Sequence, residues 1–384
     1  MKNIETPNLY IKSWCGDLEA GALEQAMHIA QLPFAFRHVA LMPDAHQGFG
    51  MPIGGVLATR DTIIPNAVGV DIGCGMLACK TKLQEISRDE IKKVLGIVRR
   101  IVPVGFNHRK TPLDINEPPA QRHAPIANEE YESARYQVGT LGGGNHFIEI
   151  QRGSDGCIWY MIHSGSRNIG KKVCDYYNKL AKSLNSRRSQ MVPREWDLAY
   201  LPVESDEGVQ YVQEMQYCQE FAYKNREVMA GLIADAFAEA TSGFDVQKTI
   251  NVHHNYAHLE EHFGERVWVH RKGAISAHKG AVGIIPGSQG SKSFITRGLG
   301  NPESFSSCSH GAGRRMGRKE AQRTLSLSDE IKHMDDLGIV HGIRGAGDLD
   351  EAAGAYKDID AVMAEQADLV EIEVELTPLG VIKA

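Results

Sequence analysis

Four strand-like runs carry, at one end, a side chain of the kind that holds a metal. They are VGVDIGCGM with Asp71 and Cys74, GGGNHFIEI with His146, IWYMIHSGSR with His163, and INVHHNY with the adjacent pair His253 and His254. Spread from residue 71 to residue 254, these side chains cannot belong to one local finger, so a shared site must be assembled by the fold of the whole chain. A fifth histidine, His310, stands in the glycine-flanked run CSHGAGRR. The layout predicts a dinuclear metal centre beside a histidine that is free to act as a nucleophile.

That long reach favours one large domain over residues 1–384, or two interlocked ones, over the two separate domains that the length alone would accommodate. No apolar run approaches the roughly 20 residues needed to span a bilayer, and no basic segment followed by an apolar stretch opens the chain, so a soluble protein is expected. Seven cysteines without a C-x-x-C pair argue against a disulfide framework and against a zinc ribbon, and fit a reducing cytoplasm. The net charge of −6 does not exclude nucleic acid, because charge is uneven along the chain: acidic residues crowd 348–375, whereas Arg314, Arg315, Arg318, Lys319 and Arg323 follow His310 closely.

Asp17 and Glu19 predict the start of a helix that Pro33 stops. Ser87 and Glu90 form a capping box for a second helix, whose apolar stripe is Ile91, Val94, Leu95, Val98 and Val102 before Pro103. Residues 205–241 contain no proline and predict a long helix. Residues 107–140, with Pro112, Pro118, Pro119 and Pro125, read as a loop or insertion. Short β-type runs (GIIP, WVHRKGAI, CIWYMIH, TINVHH, VEIEVEL) alternate irregularly with these helices, which favours an α+β fold over a doubly wound sheet.

The glycines around Asp71 and Cys74 allow a tight turn in which a carboxylate and a thiolate converge, and a thiolate can bridge two cations. Taken singly, Cys74 reads as a small buried hydrophobe and each histidine as a core residue bonded to backbone. The set outweighs those readings. In HHNY a strand sends neighbours to opposite faces, so one of His253 and His254 reaches the metal, and spacing does not choose between them. Thiolate and imidazole ligands by themselves favour zinc over manganese. The N–H groups of the SGSR turn and of a helix start at GAGRR, with Arg167 and Arg314, suit an anion.

Nine ordered motifs, MPDAHQGFGMPIG, VGVDIGCGM, GTLGGGNHFIE, HSGSR, HHNY, IIPGSQG, RGLGN, CSHGAGR and AYKDIDAVM, together resemble the RtcB family of RNA ligases from about residue 35 onward. The resemblance implies an RtcB-type domain with a central β-sandwich-like core flanked by helices. It also implies joining of an RNA 3′-phosphate or 2′,3′-cyclic phosphate to a 5′-hydroxyl, with GTP and two Mn(II) ions. Asp71, Cys74 and His146 would hold one ion and Cys74, His163 and His254 the other, which settles the HHNY choice and replaces zinc by manganese. His310 would become guanylylated, with Asp44 and His46 in a supporting motif. Asn145, Glu149, the loop Pro286, Gly287, Ser288 and Gly290, the run Gly311, Ala312 and Gly313, Tyr356 and Lys383 would contact the nucleotide. Glu149 suits guanine because a carboxylate accepts from N1–H and the 2-amino group together. Arg167 and Arg314 would meet RNA phosphates, and an archease-type activator is a further partner implied for such a ligase.

Two rival readings remain weaker. His258-Leu259-Glu260-Glu261-His262 fits the H-x-x-E-H zinc-peptidase pattern, but Phe263 and Gly264 cut off the helix that such a site requires. An inactive metal- and RNA-binding paralogue would not need His310 together with every metal-type position. Neither K-x-D-G nor a phosphate-binding G-x-x-x-x-G-K-[ST] loop occurs, so GTP must be held by the metals and short glycine loops.

Overall fold

The computed structural model describes residues 1–187 and 192–383. Two twisted sheets form its centre. The first has the strand order Lys2–Ile4, Tyr10–Ser13, Ala35–His46, Ile53–Thr59, Glu265–Lys272, Asn255–His262. The second has the order Val246–His253, Gly75–Thr81, Ile158–Ser164, Phe147–Gly153, Val370–Lys383, Ser293–Gly298, Val282–Ile285. Pairing is antiparallel throughout both sheets except between Tyr10–Ser13 and Ala35–His46. Its two edge strands, Val246–His253 and Val282–Ile285, approach each other, so the second sheet nearly closes on itself. This is the α+β architecture expected, since a mostly antiparallel sheet does not need the regular helical crossovers of a doubly wound fold.

Two helices cover one face of the second sheet. Arg88–Ile101 carries the expected capping box, with Ser87 Oγ accepting from Glu90 N–H and the Glu90 carboxylate accepting from Ser87 N–H. Its buried Ile91, Val94, Leu95 and Val98 meet Leu77, Ile148, Ile150 and Ile162 of the sheet and Met229, Ile233 and Phe237 of the helix Asp206–Ala240. Each such side chain taken from water contributes about 1.5–3 kcal/mol. A separate core of Phe36, Ala40, Val56, Val267 and Val269 packs the first sheet against Ile285 and Phe294 of the second.

Three local expectations are corrected. Asp17 does not cap the first helix, which spans Ala20–Ile29 with Glu19 at its N-cap; Asp17 instead pairs with Lys357 Nζ at 2.6 Å. The 107–140 segment is not wholly loop, because Pro125–Gln137 is helical. No helix starts at GAGRR; the next begins at Arg318.

Strand register is what builds the site. Met76 and Phe147 both lie opposite His163 in the second sheet, while Gly75 lies opposite both Ser164 and His253. Cys74, His146 and His254 each sit one residue beyond those paired positions. Four separate ends of strands therefore bring their metal-type side chains to one rim.

Candidate active site

At that rim Cys74 Sγ lies 3.3 Å from His163 Nε2 and 3.5 Å from His146 Nε2. Asp71 Oδ2 is 3.1 Å from His146 Nε2, and His163 Nε2 is 3.4 Å from His254 Nε2. Two ligand groups thus share one sulfur: Asp71, Cys74 and His146, and Cys74, His163 and His254. Strand parity separates the HHNY pair, for His254 joins this cluster while His253 Nδ1 turns away to Gly73 O at 2.9 Å.

The surroundings orient these donor atoms toward one another. His146 Nδ1 bonds Leu141 O at 2.9 Å and His163 Nδ1 bonds Asn145 O at 3.1 Å. A carbonyl only accepts, so each Nδ1 carries the hydrogen and each Nε2 presents a lone pair toward the sulfur. Burial, then the charge of Asp71, pushes the Cys74 thiol well above its usual range. Burial, followed by the charges of neighbouring histidines, holds His163 and His254 well below theirs. Buried imidazole lone pairs and a sulfur facing one another at these distances fit two cations with the sulfur between them.

The long helix braces this rim through two side chains that the sequence reading missed. Asn225 Oδ1 accepts from Gly139 N–H (2.7 Å) and Thr140 N–H (3.1 Å), and its Nδ2 donates to Gly165 O at 3.1 Å. Arg226, fully buried, donates to Gly73 O at 3.1 Å, Ser164 O at 2.9 Å and Asn251 Oδ1 at 2.7 Å. The turns carrying Cys74, His163 and His254 are therefore tied to one rigid element. Gly165 has to be glycine here, because a Cβ would fall 2.3 Å from the Asp71 carboxylate oxygens.

His310 stands next to the cluster, with its ring centroid 4.8 Å from that of His254. Its Nδ1 bonds Asp44 Oδ2 at 2.7 Å, and its backbone N–H donates to the same oxygen at 3.1 Å. Asp44 has no exposed surface. The chain passes close behind it at Gly313, whose φ is +73° and where a Cβ would meet Asp44 O at 2.4 Å.

A cavity opens from His163 and His310. Of the residues predicted to meet a nucleotide, Asn145, Glu149, Pro286, Gly287, Ser288, Gly311, Ala312, Gly313, Tyr356 and Lys383 line it, as does Arg314. Gly290 does not; it packs beside His333. Arg167 is not on the cavity wall either, since its guanidinium donates to Thr140 Oγ1 at 3.1 Å and Gly105 O at 3.3 Å. Burial pushes the Glu149 carboxyl up to about 8, and it is bonded by Gln151.

The wall also contains Phe147, Arg318 and Glu351, which sequence reasoning did not assign. Lys383 Nζ lies 5.6 Å from the Phe147 ring centroid. Glu351 is 4% exposed and gathers Arg314 (3.2 Å), Arg318 (2.9 Å), Lys383 (3.4 Å) and the Tyr356 hydroxyl. The basic spacing after His310 pointed toward Arg318, but no local pattern marked Glu351. A roomier depression between Asp114–Asn116 and Tyr217–Glu227 contains none of the converging ligands, so size does not locate the chemistry.

The H-x-x-E-H segment is a strand, within Asn255–His262, and its His258 bonds Gln219 at 3.1 Å. The helical peptidase arrangement is absent there.

Comparison with known proteins shows the family. The profile of the family described as "tRNA-splicing ligase RtcB" matches residues 25–124 and 113–384. The chain belongs to the RtcB family. RtcB relatives include the RNA-splicing ligase RtcB of Escherichia coli (strain K12), 39% identical over 96% of each chain. The RNA-splicing ligase RtcB of Mycobacterium tuberculosis is 31% identical over 94% of this chain and 100% of its own. The tRNA-splicing ligase RtcB of Thermococcus kodakarensis is 29% identical over 94% of this chain and 90% of its own. Among the described residues of this RtcB chain, no helix is long and apolar enough to cross a membrane.

Proposed function

We propose that this RtcB-family protein is a GTP-dependent RNA ligase of the cytoplasm. It would join RNA bearing a 3′-phosphate or 2′,3′-cyclic phosphate to RNA bearing a 5′-hydroxyl. The observation that carries the reading is the single cavity lined by His310, by His163 of the Cys74-centred groups and by the buried Glu149 carboxyl. A nucleophile, a cation site and a base-reading group then address one nucleotide.

Asp71, Cys74 and His146 would hold one Mn(II), and Cys74, His163 and His254 a second. When bound, the cations supply positive charge that neutralises phosphate oxygens. Asp44 takes the Nδ1 hydrogen of His310, which leaves the Nε2 lone pair as the nucleophile. Nε2 attacks the α-phosphorus of GTP, a P–N bond forms, and the bond to the bridging oxygen breaks so that pyrophosphate leaves with that electron pair. The RNA 3′-phosphate next displaces His310 from phosphorus and acquires GMP through a diphosphate link. The 5′-hydroxyl then attacks the RNA phosphorus, loses its proton, and expels GMP.

Glu149 would read guanine, with Asn145, Ser288, Tyr356 and Lys383 around the nucleotide and Arg314 and Arg318 toward RNA phosphate. For an end delivered as a 2′,3′-cyclic phosphate, the ring must first open to a 3′-phosphate. An archease-type activator is a partner to test in multiple turnover.

The test is ligation of a labelled RNA 3′-phosphate strand to a 5′-hydroxyl strand with Mn(II) and GTP. Wild type is expected to give a joined strand and His310→Ala none. Joining that proceeds equally without GTP, or in His310→Ala, would refute the proposal.

A further inference from the structure

The strand Asn255–His262 holds a polar cluster that the ligase site does not use. Side chains two apart on a strand share a face, so Glu260 and His262 project together. His278 reaches them from the turn that follows Ala274–Ser276. Glu260 Oε2 lies 2.9 Å from His262 Nε2 and 3.1 Å from His278 Nε2. All three donor atoms fall within 4.8 Å of one another.

Those spacings suit donors around one cation as well as hydrogen bonds. A tetrahedral zinc bound at about 2.0–2.1 Å sets neighbouring donors roughly 3.3 Å apart. The Cys74-centred groups show the same range, 3.1 to 3.5 Å. As it stands, Glu260 Oε2 takes His262, His278 and also Arg271 Nη2 at 2.9 Å, which places three N–H donors on one oxygen.

The surroundings fit a ligand set. Arg271, fully buried, holds both carboxylate oxygens and is itself anchored on Ser307 Oγ (2.9 Å) and Phe305 O (3.0 Å), which fixes the direction of Glu260. His262 is buried edge-on to Phe305. His278 is 49% exposed, so an ion can enter from its side and keep a water in the remaining position.

We propose that Glu260, His262 and His278 form a divalent-cation site separate from the Cys74 centre. Two imidazoles and one carboxylate select zinc-class ions over magnesium and calcium, which take oxygen ligands. The placement gives the ion a mechanical role. His262 ends the edge strand of the first sheet, and His278 lies in the turn leading to Val282–Ile285, the edge strand of the second. An ion there clasps the two sheets and stabilises the folded chain by linkage.

The test compares wild type with His278→Ala, a half-exposed position where truncation does not open the core. After zinc loading and gel filtration, elemental mass spectrometry is expected to find one fewer zinc per chain in the variant. Only a difference is read, so the result stands whatever the Cys74 centre holds. Cobalt(II) separates the two sites. The near-ultraviolet thiolate charge-transfer band, which needs Cys74, is expected to be unchanged, while visible ligand-field intensity falls. His262→Gln is expected to behave likewise, and zinc is expected to raise Tm more in wild type than in either variant. Equal zinc content and equal visible spectra across the three folded proteins would overturn the proposal.

Discussion

The Asp44 carboxylate, sealed from solvent, accepts from both the backbone N–H and Nδ1 of His310 through the same oxygen, Oδ2. Those two bonds fix the ring's position and its tautomer together. Asp44→Asn keeps the shape but presents an amide that can donate, which favours the tautomer with the hydrogen on Nε2. The rate of histidine guanylylation should fall on the order of 10²–10⁴-fold, as when other orienting carboxylates are removed. Single-turnover labelling with circular dichroism as a folding control measures it, and a rate unchanged in a folded variant would show that Asp44 does not act through the ring.

Sharing of Cys74 between two ligand groups gives unequal consequences for neighbouring mutations. Cys74→Ala should lose both manganese ions, whereas His254→Ala should weaken one while the Asp71–His146 side persists. Elemental analysis after dialysis distinguishes them. Full metal content in Cys74→Ala would argue against a bridging sulfur.

Glu149 is held protonated by burial, with its carboxyl near 8. Accepting from guanine N1–H and the 2-amino group requires the carboxylate, so GTP affinity should rise up to tenfold per pH unit below about 8 and level off above it. In the free protein the same shift runs the other way. A carboxyl whose folded value lies above its unfolded one contributes stability at low pH that is lost as pH rises toward 8. Glu149→Gln should therefore lose less Tm than wild type between pH 5 and pH 9, and should reduce the preference for GTP over ATP by about tenfold or more. Calorimetric titration of both nucleotides against pH checks this; a pH-independent GTP affinity would move base reading elsewhere.

Arg226 supports the rim without touching the cavity. Arg226→Met would strip Ser164 O of this donor, leave Gly73 O with His253 alone, and should cost roughly 2–4 kcal/mol of stability. Urea unfolding measures the loss, and manganese affinity should fall with it. A stable variant with normal metal content would show that the strand pairing alone holds the rim.

What the sequence made legible depended on the range over which each feature is determined. Ser87 and Glu90 marked a helix start because both partners of the capping box lie within one turn. The helix Pro125–Gln137 stayed hidden because the N–H groups of Ile126 and Ala127 at its start donate to Glu214, a residue of another helix. Asp71, Cys74, His146 and His163 stood out by residue type and strand context. The choice between His253 and His254 needed either the family resemblance or the pairing register. Glu351 gathers cations only through tertiary contact, and within the acidic stretch 348–375 nothing distinguishes it from solvated neighbours. Arg167 shows the opposite error, since the basic residue that ends HSGSR suggests a phosphate ligand but its guanidinium is spent on Thr140 and Gly105.

The most direct test of the account is incubation of purified protein with Mn(II) and GTP labelled at the α-phosphate, followed by peptide mass spectrometry. The predicted result is one acid-labile, alkali-stable GMP adduct on the peptide containing His310, formed with GTP, not with ATP, and absent in His310→Ala. A folded, manganese-loaded wild-type protein that acquires no adduct, or acquires it on another residue, would contradict the assignment of His310 as the nucleophile.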